Sequence, residues 1–150
     1  MNKYLEKLGE PDFKLSSLSI WIHGREFPEH EDYWDGNWIR VTIYCTAPGS
    51  NVIVEGPYIH LSELSSWVEQ LQKIYSTLEG EAELSCIEPY LYANLKVNND
   101  GSINFKVHLT PDPLVQTHKF EFEIDQSYLP SAIKKLRNIL KEYPIVGKET

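Results

Sequence analysis

The chain has 150 residues, 41% of them apolar and 24% charged, with four Trp, nine Tyr and five Phe. A chain of this length buries about 68–70% of its unfolded surface, so a core forms without disulfide or metal staples, and disorder is excluded on composition. The net charge of −8 disfavours nucleic acid and anionic membranes as partners; it suits solubility alone, and equally a basic protein partner.

No element is assigned to residues 1–11. Phe13 to His23 alternates as a strand whose phase shifts between Leu15 and Leu18, which predicts a bulge or two short pieces. Gly24 to Gly36 reads as a loop rich in acids and aromatics. Trp38 to Thr46 is the clearest strand, with Ile39, Val41, Ile43 and Cys45 on a core face and Trp38, Arg40, Thr42 and Tyr44 on the other. After the turn Ala47–Asn51, a strand runs over Val52–Glu55 and stops at Gly56-Pro57.

A helix follows. Ser62 is its predicted N-cap, Leu64, Trp67, Val68, Leu71, Ile74, Tyr75 and Leu78 form its predicted buried stripe, and Gly80 is its predicted C′ residue. Four strands come next, marked by Ala82-Leu84-Cys86, Leu91-Ala93-Leu95-Val97, Ile103-Phe105-Val107-Leu109 and Phe120-Phe122-Ile124. Asn98-Asn-Asp-Gly101 joins the middle pair as a hairpin turn. A last helix begins near Asp125 or Ser127, carries Pro130 in its first turn, buries Leu129, Ile133, Leu136, Leu140 and Tyr143, and stops at Pro144.

The order is thus β-β-β-α-β-β-β-β-α: an α+β fold with a mainly antiparallel sheet of about seven strands and two amphipathic helices. Residues 1–150 form one domain on this reading; no sequence repeat, low-complexity segment or long linker divides them. The opening residues are too charged for a secretory signal, and no apolar run approaches the ~20 residues of a membrane span; both point to the cytoplasm. Cys45 and Cys86 lie in apolar runs without a Cys or His at zinc-ligand spacing, and read as buried thiols in a reducing compartment.

Catalytic signatures are missing: there is no P-loop, dinucleotide glycine turn, G-x-S-x-G, H-E-x-x-H or paired C-x-x-C. The expectation is a non-enzyme without cofactor or metal. His23, His108 and His118 read as strand residues and His60 as a cap neighbour. His30 stands apart because it lies in the densest unusual stretch, Glu29-His-Glu-Asp-Tyr-Trp-Asp-Gly-Asn-Trp38. Glu26, Glu29, Glu31, Asp32 and Asp35 bring five carboxylates together there with no intervening Lys or Arg. A solvated acidic loop anchored by Tyr33, Trp34 and Trp38 is the plainest reading. A protein-binding loop is the second, with Glu29, Glu31, Asp32, Tyr33, Trp34 and Asp35 as contact residues: the aromatics supply hot-spot area and the acids steer a basic partner. A hard-cation site using His30 ranks last, because the spacing matches no EF-hand loop.

Gly24-Arg-Glu-Phe-Pro28, Asp32-Tyr-Trp-Asp-Gly-Asn-Trp-Ile39, Gly56-Pro57 ahead of the Leu64–Trp67–Leu71 helix, Gly80-Glu-Ala82, Phe120–Ser127 and Tyr143-Pro-Ile-Val-Gly147 together resemble the bacterial WapI-type immunity proteins. The likeness spans about Phe13 to Gly147, and its most specific part is the Arg-x-x-Pro…Asp-Tyr-Trp-Asp-Gly-Asn-Trp block. It implies stoichiometric neutralisation of a polymorphic toxin's C-terminal domain by a monomer or small oligomer. It transfers no binding residues; the acidic–aromatic loop is a reading of the residues themselves. Motifs shared by a family can equally be its structural part, since different toxins need different surfaces. Two alternatives stay open: a ligand- or peptide-binding adaptor using the row Trp38, Arg40, Thr42 and Tyr44, and a small hydrolase or metal enzyme built on the acidic loop.

Overall fold

In a computed structural model, which describes residues 2–149, eight strands form two four-stranded antiparallel sheets. The first contains β1 (Phe13–Leu15), β2 (Leu18–Arg25), β3 (Trp38–Ala47) and β4 (Ser50–His60), paired in chain order. The second contains β5 (Glu81–Ser85), β6 (Leu91–Val97), β7 (Ile103–Leu109) and β8 (Lys119–Ile124), also in chain order. Helix α3 (Leu61–Thr77) follows the first sheet and α4 (Leu129–Glu142) follows the second. The chain therefore repeats four strands and a helix twice, a repetition of architecture that its residues do not show.

The α+β class and the order of elements agree with the sequence reading, and the strand count differs by one. The phase shift after Leu15 is a hairpin: Ser16 turns the chain with φ of 52°, and Phe13 pairs with Ile20 and Leu15 with Leu18. Two short helices, α1 (Lys3–Lys7) and α2 (Tyr33–Gly36), occupy stretches given no regular structure in the sequence.

Three boundaries also move. Strand β4 does not stop at Gly56-Pro57; it continues to His60 past a register shift opposite Ile39–Val41. The irregular ladder tolerates a proline that has no N–H to give. Gly56 is required there, since a Cβ would lie 2.5 Å from Cζ of the Tyr58 ring, which stacks on Tyr90 at 3.8 Å. His60, not Ser62, caps α3: its side chain accepts from the Ser62 backbone N–H, and Glu63 reaches back to the His60 N–H at 2.8 Å. At the other end Leu78, not Gly80, takes the left-handed cap conformation, with φ of 55°. Asp125 caps a 3-10 turn (Gln126–Tyr128) that precedes α4, so the acid predicted to open that helix works one turn earlier.

One continuous core joins the inner faces of both sheets to α3 and α4. The predicted inward set Ile39, Val41, Ile43 and Cys45 is fully buried. A smaller cluster lies on the opposite face of the first sheet, where α1 drops Leu5 onto Trp21 and Tyr44. The Trp21 indole N–H donates to the Gly9 carbonyl at 3.0 Å, and the Tyr4 hydroxyl to Glu55 at 2.7 Å, which fasten this segment across the sheet. Burial of the two cysteines raises both thiol pKa values, that of Cys45 to about 12, and both are free. No described helix is long and apolar enough to cross a membrane.

Candidate functional site

The acidic–aromatic block divides into a buried frame and an exposed rim. Asp32 opens α2 by accepting from the Asp35 N–H at 2.8 Å, a short Asx-type cap. The helix lasts one turn because Asn37 leaves it and becomes fully buried. The Asn37 amide donates to the carbonyls of Tyr33 at 2.7 Å and Val146 at 2.9 Å, while its Oδ1 accepts from the Val146 N–H at 2.9 Å. Arg25 reaches across from β2 and donates to the Gly36 carbonyl at 2.8 Å and to that of Pro144. A Cβ at Gly36 would sit 2.6 Å from the His30 carbonyl oxygen, and one at Gly147 would sit 2.4 Å from the Tyr33 nitrogen. These two glycines let the C-terminal segment close over the block.

His60 completes the frame from below. It is fully buried, with Nδ1 2.6 Å from Ser62 Oγ and Nε2 3.2 Å from the carbonyls of both Tyr33 and Trp34. Its ring lies against Tyr33, Trp34 and Trp38 with centroids 5.0–5.4 Å apart. Glu63, whose carboxylate accepts from the backbone N–H groups of His60 and Ile87, links this frame to the end of β5. Burial raises the Glu63 pKa against those two hydrogen bonds.

The rim is what remains outside. Glu29, Glu31 and Asp32 are exposed, Tyr33 and Asp35 are half-buried, and Trp34 keeps 53% of its surface open. A large indole so exposed is uncommon on a soluble surface, and its ring is nonetheless held edge-on to Trp38. The Asp35 N–H, and His30 beside it, hold the Asp32 carboxyl below its ordinary value. Glu26 is not part of the rim, because Arg40 pairs with it at 2.7 Å.

All six predicted contact residues therefore fall on one short stretch of surface. His30 lies 3.4 Å from Asp32 and 3.8 Å from Asp35, and ligand atoms of the three are within 4.8 Å of one another. They sit on open surface, and the hydrogen bond from Asp35 gives Asp32 a structural task. The adaptor row fares worse. Thr42 is fully buried, Tyr44 lies under α1, and Trp38 is half-covered by Trp34 and His60, so only Arg40 faces solvent. Periodicity could not reveal this, because the covering helix comes from the stretch 1–11 that showed no pattern. Arg25 and Asn37 showed only as members of the motif that carried the family likeness, whereas His60, read as a cap neighbour, is the cap of α3 itself.

These features define a small α+β domain whose exposed acidic–aromatic stretch sits on a buried, hydrogen-bonded frame. The sequence model of the immunity protein WapI-like family matches residues 12–144, and the chain belongs to that family. No curated protein is similar enough to count as a relative. Among solved structures, a chain in the crystal structures of Trypanosoma bruciei MRP1/MRP2 is similar at 12% identity, with 93% of this chain and 90% of that chain covered and a TM-score of 0.45.

Proposed function

We propose that this protein is a non-catalytic immunity protein that binds the C-terminal domain of a cognate toxin in the cytoplasm and blocks it stoichiometrically. The contact surface is the rim formed by Glu29, Glu31, Asp32, Tyr33, Trp34 and Asp35. The observation that carries this reading is Trp34: a half-open indole in an exposed acidic stretch, on a backbone that Asn37, Arg25 and His60 hold in place. A pre-organised aromatic loses little conformational entropy on binding, and the exposed carboxylates of the rim raise the encounter rate with a basic partner. The net charge of −8 acts in the same direction at longer range.

Co-expression tests the function and the surface in sequence. A toxin-like C-terminal region encoded immediately upstream, if there is one, is induced with and without this protein, and survivors are assayed for a fixed-ratio complex. Relief of toxicity with co-purification supports the immunity reading; unrelieved toxicity removes that pairing. Trp34→Ala then tests the surface: it should weaken the complex by at least ten-fold, consistent with hot-spot truncations of about 2 kcal/mol or more. Full affinity in Trp34→Ala together with Glu29→Gln/Glu31→Gln would move the interface elsewhere.

A further inference from the structure

The outer face of the second sheet has no covering helix, and its side chains form three cross-strand rows. Ser85, Tyr92, His108 and Lys119 make one; Glu83, Asn94, Lys106 and Glu121 the next; Glu81, Lys96, Asn104 and Glu123 the last. Charges in the last row alternate and stay solvated. The first two rows line an open cavity of about 500 Å³ formed by Tyr92, Asn94, Lys106, His108, Lys119 and Glu121, with Phe120 beside them. Lys106 and Lys119 are two of the nine basic residues before residue 126. Neither forms an ion pair within 4 Å with a described carboxylate, although Lys106 stands opposite Glu121 in the ladder.

Two further observations mark this as more than a solvated sheet face. The Tyr92 and His108 rings lie 5.0 Å apart, tilted by 38°, and the Tyr92 hydroxyl is drawn away to Glu83 at 2.9 Å, which presents a fixed aromatic wall. Burial, then Lys119 and Lys106, hold the His108 pKa below 6.5, so both lysines act on the ring that forms the wall, with Glu121 the one carboxylate among the lining residues.

We propose that this cavity binds a small aromatic oxyanion, with Lys106 and Lys119 as the paired cations and the Tyr92–His108 rings as the wall against which the ligand's ring lies. Paired ammonium groups hold a carboxylate or phosphate by charge-assisted hydrogen bonds, and the rings add stacking contact of a kind that a free inorganic anion cannot use. The site lies outside the acidic–aromatic rim and does not depend on the immunity reading.

Isotope-labelled protein titrated with phenyl phosphate, inorganic phosphate and benzyl alcohol tests it by NMR. Phenyl phosphate should give saturable shifts centred on Tyr92, Asn94, Lys106, His108 and Lys119, at least ten-fold tighter than either of the other probes. Besides the two lysines, the titratable groups facing His108 are Glu121 on β8 and Tyr92 on β6, the latter tied to Glu83 on β5; His108 should shift toward its protonated form as phenyl phosphate binds. Lys106→Ala/Lys119→Ala should reduce affinity ten-fold or more, while Lys134→Ala/Lys135→Ala on α4 should leave it unchanged. Non-saturable shifts, equal shifts at the α4 lysines, or full binding by the Lys106→Ala/Lys119→Ala protein would overturn the assignment. Equal affinity for inorganic and phenyl phosphate would overturn the aromatic part of it.

Discussion

The two halves of this molecule share an order of elements but differ in how their outer faces are finished. The first sheet is covered on both sides. Its inner face packs on the helices, and its outer face carries α1, with Leu5, Trp21 and Tyr44 buried beneath it. At its end the motif Asp32–Trp38 is sealed by the C-terminal segment through Asn37 and Arg25. The second sheet is finished on one face only; the other presents polar side chains and a cavity. The same scaffold thus spends one half on holding a surface loop rigid and leaves the other half's sheet open.

That difference predicts unequal sensitivity to mutation. The largest effect is expected at Asn37. Asn37→Ala strands the carbonyl and the N–H of Val146 and takes one of its two partners from the Tyr33 carbonyl, and each unmet buried group costs about 1–3 kcal/mol; a loss of about 3 kcal/mol or more should appear as a lower urea midpoint. Leu5→Ala comes next. Leu5 is fully buried in the small outer cluster, and such truncations cost about 2–5 kcal/mol. The matched substitution in the other half, Tyr92→Ala on the open face, should cost under about 1 kcal/mol. If Leu5→Ala and Tyr92→Ala proved equal in chemical denaturation, the contrast between a sealed and an open face would fail.

The same contrast explains what the sequence revealed. In the second half β5, β6 and β7 alternate buried with exposed or half-buried residues along their length, because one face meets the core and the other meets water. Their order and the hairpin at Asn98–Gly101 were legible, although Cys86 lies just past β5 and is half-buried, and in α4 Ile139 is buried while the predicted Leu140 and Tyr143 are only half-covered. In β2, Leu18, Ser19, Ile20 and Trp21 are buried in succession, since α1 covers the second face and erases the period. Pro57 read as a strand end because the bulge that accommodates it is a tertiary feature. The rim residues of the candidate site were visible as a cluster of acids and aromatics. Their frame was legible only at His60, read as a cap neighbour; Asn37 and Arg25 reach Val146 and Pro144, the former 109 positions from Asn37, and such partners leave no local signal.

Within the first half, frame and rim should separate by readout. His60→Ala removes the α3 cap and the contacts to Tyr33 and Trp34; cap loss alone costs about 1 kcal/mol, and the thermal midpoint should fall. Trp34→Ala should leave the fold nearly as stable and act on toxin affinity instead. Coincident losses of stability and affinity in Trp34→Ala would mean that the indole belongs to the frame.

The smallest effect concerns pH, and it lies in the open half. His108 titrates below 6.5, first because of its burial and then because Lys119 and Lys106 face it. A base whose folded pKa is depressed is disfavoured when protonated, so its neutral form contributes stability that is fully present above 6.5 and declines as pH falls toward the folded value. Glu121 and Tyr92 also line the cavity, and neither cancels the two lysines. Lys119→Gln should therefore raise the His108 pKa in an NMR titration and flatten the acid side of the stability profile between pH 6.5 and that value. Lys134→Gln on α4 should change neither. An unmoved His108 pKa in Lys119→Gln would show that burial alone sets it, and that the two lysines do not share one field across the cavity.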